Sequence, residues 1–218
     1  MKQLAMFDLD GTLLDSLKDI AASCNYALQD KDMPIHSSEE YLGFIGDGVY
    51  KLSERALPPE HRDQQTVLEI KQLFDTYYRE NYDIYSKPFD GILEMLEKLI
   101  DQDVKLAVLS NKGDAFAKQI VEEYFPQVFD LVLGQREGIA TKPDPVAVYE
   151  IMDQLGVRPE DAIYIGDSNV DIFTAKNAGI ESIGVTWGYR STEELVQAGA
   201  DYLAKSPKKI AQIILKKD

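Results

Sequence analysis

The chain of 218 residues carries 38 Asp and Glu against 23 Lys and Arg, a net charge of −15, which argues against sequence-independent nucleic-acid binding and peripheral membrane attachment. With 44% hydrophobic residues, 9 Pro and 14 Gly it can bury a core, and its length allows one large domain or two small ones. A single cysteine, Cys24, and the lack of any apolar run near the roughly 18 residues of a membrane span lead to the expectation of a cytoplasmic globular protein, monomer or homodimer, without nucleic-acid or membrane partners.

The first element is an apolar run at Leu4–Phe7, read as a strand. From Asp15 to Lys87 the patterns are helical. Ser16 and Asp19 form a capping box before Leu17, Ile20, Cys24 and Leu28, and Phe74, Tyr77, Tyr78 and Tyr82 line a later helix. Then Ile92, Leu93, Leu96, Leu99 and Ile100 make one buried helical stripe. Further strands follow at Lys105–Leu109, Leu131–Leu133, Ala162–Ile165 and Ser182–Val185. Asp144-Pro145 caps a helix through Val146, Tyr149, Met152 and Leu155. Lys205, Lys208, Lys209, Lys216 and Lys217 form a basic tail read as a solvated helix face. Strands of nearly continuous apolar character, alternating with helices, predict an α/β fold on a parallel sheet. The stretch 15–87 is read as a compact helical insert after the first strand, leaving 1–14 and 88–218 as the core domain.

Four motifs stand at strand ends, where open α/β sheets bind ligands. Asp8 and Asp10, two apart in Asp8-Leu9-Asp10-Gly11-Thr12, face one point, and crowded carboxylates attract a divalent cation. Ser110-Asn111-Lys112 offers a hydroxyl beside amides leading into a helix, a cradle for phosphate. In Thr141-Lys142-Pro143-Asp144-Pro145 the proline favours an extended Lys142, which fixes where its ammonium points. Gly166-Asp167-Ser168-Asn169-Val170-Asp171 gathers two more carboxylates.

Asp, Ser, Lys and Asp in this order, each after its own strand, resemble the haloacid dehalogenase superfamily of aspartate-nucleophile phosphohydrolases. The resemblance spans essentially the whole chain and implies a Rossmann-like parallel sheet with helices on both faces, the insert being a small helical cap. It implies that Asp8 is the nucleophile and Asp10 the general acid and base, with Ser110, Asn111 and Lys142 holding phosphate. It further implies Mg²⁺ bound by Asp8, the backbone carbonyl of Asp10, and Asp167, with Asp171 in the outer shell or bound through water. Asp10 favours phosphoester cleavage, since a departing halide needs no proton. Ile20 occupies the position where the sugar-phosphate mutases of the family usually carry histidine.

Within the family, overall similarity is greatest to the phosphoglycolate phosphatase group. The residues that carry it are Ile45-Gly46-Asp47-Gly48, Arg55, Lys87-Pro88-Phe89-Asp90-Gly91 and Val185-Thr186-Trp187-Gly188-Tyr189. Gly46, Asp47 and Arg55 are therefore the substrate candidates of the cap. A small carboxylate substrate calls for one basic side chain. Related enzymes often show an arginine shortly before the cap glycines, where this chain reads Tyr41-Leu42-Gly43. The expected activity is Mg²⁺-dependent hydrolysis of a small phosphorylated metabolite. A pyrophosphatase or sugar-phosphate mutase of the same fold, or a non-catalytic phospho-signalling or binding module, stands as the alternative.

Overall fold

Six strands form one wholly parallel sheet in the order β5-β4-β1-β6-β7-β8, in a computed structural model that describes residues 1–216. The strands are β1 (Leu4–Phe7), β4 (Lys105–Gly113), β5 (Leu131–Gln135), β6 (Ala162–Gly166), β7 (Glu181–Val185) and β8 (Tyr202–Ala204). Lys217, the last residue of the basic tail, lies outside the described residues. Two further two-residue strands, β2 (Leu14–Asp15) and β3 (Lys87–Pro88), make a separate small sheet. Among the described residues no helix is long and apolar enough to cross a membrane.

β1 is central because every one of its side chains is apolar and every one is buried at 0% exposure. Its neighbours are β4 and β6, with Leu4 opposite both Lys105 and Ala162. On one face Leu4, Met6, Ala107, Leu109, Ala162 and Tyr164 pack with α7 (Val146–Leu155) and α8 (Asn169–Ala178), through Ala147, Val148, Ile151, Met152, Ala175 and Ala178. Ala5, Phe7, Leu106, Val108, Ile163 and Ile165 point the other way and are equally buried, as a strand covered on both faces requires. α5 (Ile92–Ile100) and α10 (Pro207–Ile214) pack on each other, and α5 also meets β4 and α10 meets β8. The chain divides into two compact units, 1–14 with 88–218, and 15–87. The larger unit is the expected Rossmann-like α/β layer.

Several local expectations shift. β4 does not stop at Leu109. It runs to Gly113, with an irregular register after Leu109 and Gly113 opposite Gln135, so α6 (Asp114–Tyr124) starts three residues beyond Asn111. Gly134 permits this: a Cβ there would lie 2.5 Å from the Lys112 carbonyl. The buried stripe of α5 is Ile92, Met95, Leu96 and Leu99, while Leu93 and Ile100 are exposed. In α7 the buried face is Ala147, Val148, Ile151 and Met152, so Val146 and Tyr149 face solvent. Asp144 accepts the Val146 N–H at 2.9 Å, and the helix begins at Val146, one residue past the proline.

In the smaller unit, α4 (Gln64–Asn81) packs against α1 (Leu17–Asp30) and α3 (Gly48–Ala56), burying Ile20, Cys24, Leu28, Ile70, Phe74 and Tyr78. Tyr26 and Tyr77 stack with centroids 4.1 Å apart. α1 begins after Ser16, but the capping box is not made, since the Ser16 side chain forms no cap bond. Asp19 instead turns its buried carboxylate to the other end of the unit. It accepts the N–H groups of Tyr85 and Ser86 and, at 2.6 Å, the Ser86 hydroxyl. A carboxylate that can satisfy three donors in the interior is worth more there than at a helix end. Asp19→Ala should therefore lower stability by about 1–3 kcal/mol through the orphaned donors, read as a shift of the urea unfolding midpoint. An unchanged midpoint would show that the 85–86 backbone finds other partners.

Candidate active site

The order of the sheet decides where side chains converge. From β1 the chain fills β4 and β5 on one side, then returns to add β6, β7 and β8 on the other. The order in which strands are added thus reverses beside β1, and the crevice at the carboxyl ends of β1 and β6 is the position where such sheets bind ligands. Asp8 follows β1 and Asp167 follows β6. The Asp8 N–H still donates to the Ile165 carbonyl at 2.9 Å, so the sheet ladder fixes the backbone at this residue.

Asp8, Asp167 and Asp171 each offer a carboxylate oxygen within 4.8 Å of the others. Lys142 reaches into the same cluster. Its Nζ lies 3.0 Å from Asp8 Oδ1, 2.7 Å from Asp171 Oδ1 and 3.1 Å from the Tyr164 hydroxyl, which in turn donates to the Leu109 carbonyl at 2.7 Å. Asn111 holds the Lys142 backbone at both ends of its amide: Oδ1 accepts the Lys142 N–H at 2.9 Å and Nδ2 donates to the Lys142 carbonyl at 3.2 Å. The peptide bond between Lys142 and Pro143 is cis.

Each carboxylate has a distinct set of partners. Asp8 Oδ1 accepts the Leu9 N–H at 2.7 Å as well as the lysine, whereas Oδ2 has no protein donor among the described residues. Asp171 is engaged on both oxygens, because Oδ2 accepts the Ser168 N–H at 3.0 Å and the Ser168 hydroxyl at 2.7 Å in a capping box that starts α8. Asp167 accepts from the Thr12 hydroxyl at 3.2 Å and the Tyr189 N–H at 2.7 Å. Asp10 stands apart from the cluster, with its carboxylate turned to Lys112, whose Nζ lies 2.9 Å and 3.1 Å from the two oxygens. Ser110 is 4% exposed, and its oxygen accepts the Lys112 N–H at 3.3 Å.

Close approach of backbone makes this possible. Gly11 has φ +82°, and a Cβ there would come 2.7 Å from Asp167 Cγ; one on Gly188 would come 2.5 Å from the Gly11 carbonyl. Trp187 pins the same loop by donating from Nε1 to the Thr12 carbonyl at 3.1 Å. Lys112 stands in the Ser110-Asn111-Lys112 motif, and Trp187 and Tyr189 in the segment that carries the family resemblance, but the sequence assigns none of the three a role of its own. Tyr164 is not singled out from sequence, and its interruption of the apolar run of β6 is the signal it offers. In the smaller unit, Arg55 pairs with Asp47 at 2.6 Å and donates to the Phe44 carbonyl at 3.0 Å, beside the turn at Gly46 and Gly48.

Burial dominates the electrostatics. It pushes the Asp8 carboxyl from 3.8 up to about 8, against the pull of Lys142 and with repulsion from Asp171, Asp167 and Asp10 adding to it. Asp167 rises to about 7, again by burial first and then by Asp171. For Lys142 burial opposes the charge, but Asp171 and Asp8 outweigh it and hold the ammonium proton well above its usual range. Three carboxylates around one ammonium leave an excess of negative charge, and an all-oxygen donor set of this kind suits a hard divalent cation.

The comparisons with known proteins agree with this geometry. The family model of the haloacid dehalogenase-like hydrolases matches residues 5–185, and the chain belongs to that family. It is 32% identical to a phosphoglycolate phosphatase of Vibrio parahaemolyticus serotype O3:K6 over 97% of this chain and 96% of the relative. It is 35% identical to a phosphoglycolate phosphatase of Aquifex aeolicus over 86% of each. The crystal structure of a predicted phosphoglycolate phosphatase from Haemophilus somnus superposes with a TM-score of 0.90 at 32% identity, covering 97% of both chains.

Because folding raises the Asp8 and Asp167 values, these two groups bind fewer protons in the unfolded chain than in the native one between about pH 4 and about pH 8, and their contribution to metal-free stability falls as pH rises through that window. Asp8→Asn cannot titrate. In EDTA the wild-type melting temperature should therefore fall relative to that of Asp8→Asn across the window, and Mg²⁺ should narrow the gap. Parallel pH curves for the two proteins would remove the charge crowding from the account.

Proposed function

We propose that the chain is a Mg²⁺-dependent phosphatase that hydrolyses a small phosphomonoester through an aspartyl-phosphate on Asp8, with residues 15–87 as its cap. The observation that carries this reading is the state of Asp8. One oxygen is fixed by the Leu9 N–H and by Lys142, and the other has no protein donor, as a carboxylate poised for attack needs.

In this reading Asp8 Oδ2 attacks phosphorus and the bond to the leaving oxygen breaks, while Asp10 donates a proton to that oxygen. Water then attacks the phosphoryl group, Asp10 takes its proton back, and inorganic phosphate leaves with Asp8 regenerated. The Ser110 hydroxyl and the Lys142 ammonium hold the phosphoryl oxygens, in a buried setting where a fixed charge is stronger than in water. Asn111 keeps the Lys142 backbone in place. Asp171, occupied on both oxygens, orients Lys142 instead of binding substrate. Asp8, Asp167 and the Asp10 carbonyl are the residues that would hold Mg²⁺, whose charge, when it is bound, offsets that of the phosphate dianion and the clustered carboxylates. The names of the relatives make phosphoglycolate the first ester to test.

With Mg²⁺, the chain should hydrolyse phosphoglycolate or another small ester, and EDTA should abolish the activity. Asp8→Asn should remove turnover, and Asp10→Asn should cost about 10²–10⁴-fold in kcat. Near wild-type turnover by Asp8→Asn, or activity undiminished by EDTA, would refute the mechanism.

A further inference from the structure

Two neighbouring helices of the larger unit carry opposite charge on their outer surfaces. α5 and α10 pack side by side, and a Cβ on Gly91 would lie 3.8 Å from Pro207, so their first turns are adjacent. They run in the same direction: α5 ends shortly before β4 begins, and the Ile214 carbonyl at the end of α10 accepts the Lys2 N–H ahead of β1. Residues 90–103 hold five acids and one base, all exposed: Asp90, Glu94, Glu97, Asp101 and Asp103, with Lys98. Residues 205–216 hold four exposed lysines, Lys205, Lys208, Lys209 and Lys216, and no acid. Among the described residues none of these charged side chains makes an ion pair or a hydrogen bond. The same face is partly apolar. Leu93 and Ile100, two turns apart on α5, are 49% and 43% exposed, and Ile213 and Leu215 at the end of α10 are half-buried.

We propose that the face of α5 and α10 is the contact between two copies of this chain. A two-fold axis running along the helices lays α5 of each copy on α10 of the other, the reciprocal pairing that an isologous contact requires. Because the two helices are parallel and start together, Lys208 and Lys209 then meet the partner's Glu94, and Lys216 meets the partner's Asp101 and Asp103. Leu93 and Ile100 are covered in the same contact, which gives the stripe of α5 that folding leaves exposed an apolar partner. The charge pattern selects the occupant. A polyanion such as nucleic acid would suit the lysines of α10 and be repelled by the acids of α5, and a basic protein would meet the opposite conflict. A surface that answers both rows carries an acidic and a basic helix side by side, and this chain has that surface. The apolar side chains supply burial, while the charges fix the register and the choice of partner.

The test is the mass of the full chain by sedimentation equilibrium over a dilution series. In about 0.1 M NaCl wild type should reach twice the chain mass as concentration rises, and about 1 M NaCl, which shortens the screening length from about 10 to about 3 Å, should raise the dimer dissociation constant by about tenfold or more. Lys208→Glu with Lys209→Glu, and separately Glu94→Lys with Glu97→Lys, should each sediment as monomers, because like charges then face each other. An equal mixture of these two double variants should form a heterodimer, since each supplies the charge the other now lacks. Wild type that stays monomeric throughout the series, or a dimer indifferent to salt, would overturn the proposal with no need for a variant. So would a dimer that survives either charge reversal, or a mixture that stays monomeric while both variants keep the wild-type circular dichroism spectrum.

Discussion

The Lys142 ammonium, shared between Asp8 at 3.0 Å and Asp171 at 2.7 Å, is the contact through which the elements of the site depend on one another. A charge this deeply buried is costly unless it is paired and hydrogen-bonded. The pairing draws on several elements: Asp8 just after β1, Tyr164 from β6 and Asp171 from α8, with Asn111 of β4 holding the Lys142 backbone. Each partner is itself held, Tyr164 by the Leu109 carbonyl and Asp171 by the Ser168 capping box. Removing any one of them leaves a buried polar group unsatisfied, so the site is rigid before any ligand arrives.

That convergence is a consequence of the sheet. Parallel strands bring all their carboxyl ends to one edge, and the order β5-β4-β1-β6-β7-β8 puts the earliest strand between two that come much later in the chain. Residues 8, 142 and 167 converge for that reason, with Asn111 holding the Lys142 backbone. The loop after β7 completes the enclosure, with Trp187 on the Thr12 carbonyl and Gly188 against Gly11, and the approach tolerates no side chain at either glycine.

Much of this was legible in the amino-acid order because buried parallel strands are apolar without alternation, and their ends are marked by Asp, Ser or Lys. β1, β6 and β7 were read within a residue of their observed bounds. β8 was missed, since Tyr202–Ala204 is three residues long and half exposed. The Ser16–Asp19 spacing read as a capping box because local sequence carries no information about Ser86, the partner Asp19 takes instead. The stripe of α5 shifted from Leu93 and Ile100 to Met95 for a similar reason: several apolar registers fit nine residues, and the packing of α10 and β4 selects one. At the site, residue types and spacing mark Asp8, Asp10, Lys142 and Asp167 as candidates, but give Lys112 no role of its own, because its pairing with Asp10 depends on β4 lying beside β1.

The acidity of the whole chain and the chemistry of the site are compatible because they act over different ranges. Surface charges are screened within about 8 Å at physiological salt, while Lys142 and Lys112 act at contact distance in a protected setting. The central claim is that Asp8, braced by Lys142, itself becomes phosphorylated. Acid-quenching the enzyme during turnover and reducing it with borohydride converts an aspartyl-phosphate to homoserine, which mass spectrometry of the N-terminal peptide locates. Homoserine at position 8, dependent on substrate and on Mg²⁺, is the predicted result. An unmodified Asp8 under conditions where turnover is demonstrated, or modification at another carboxylate, would contradict the account.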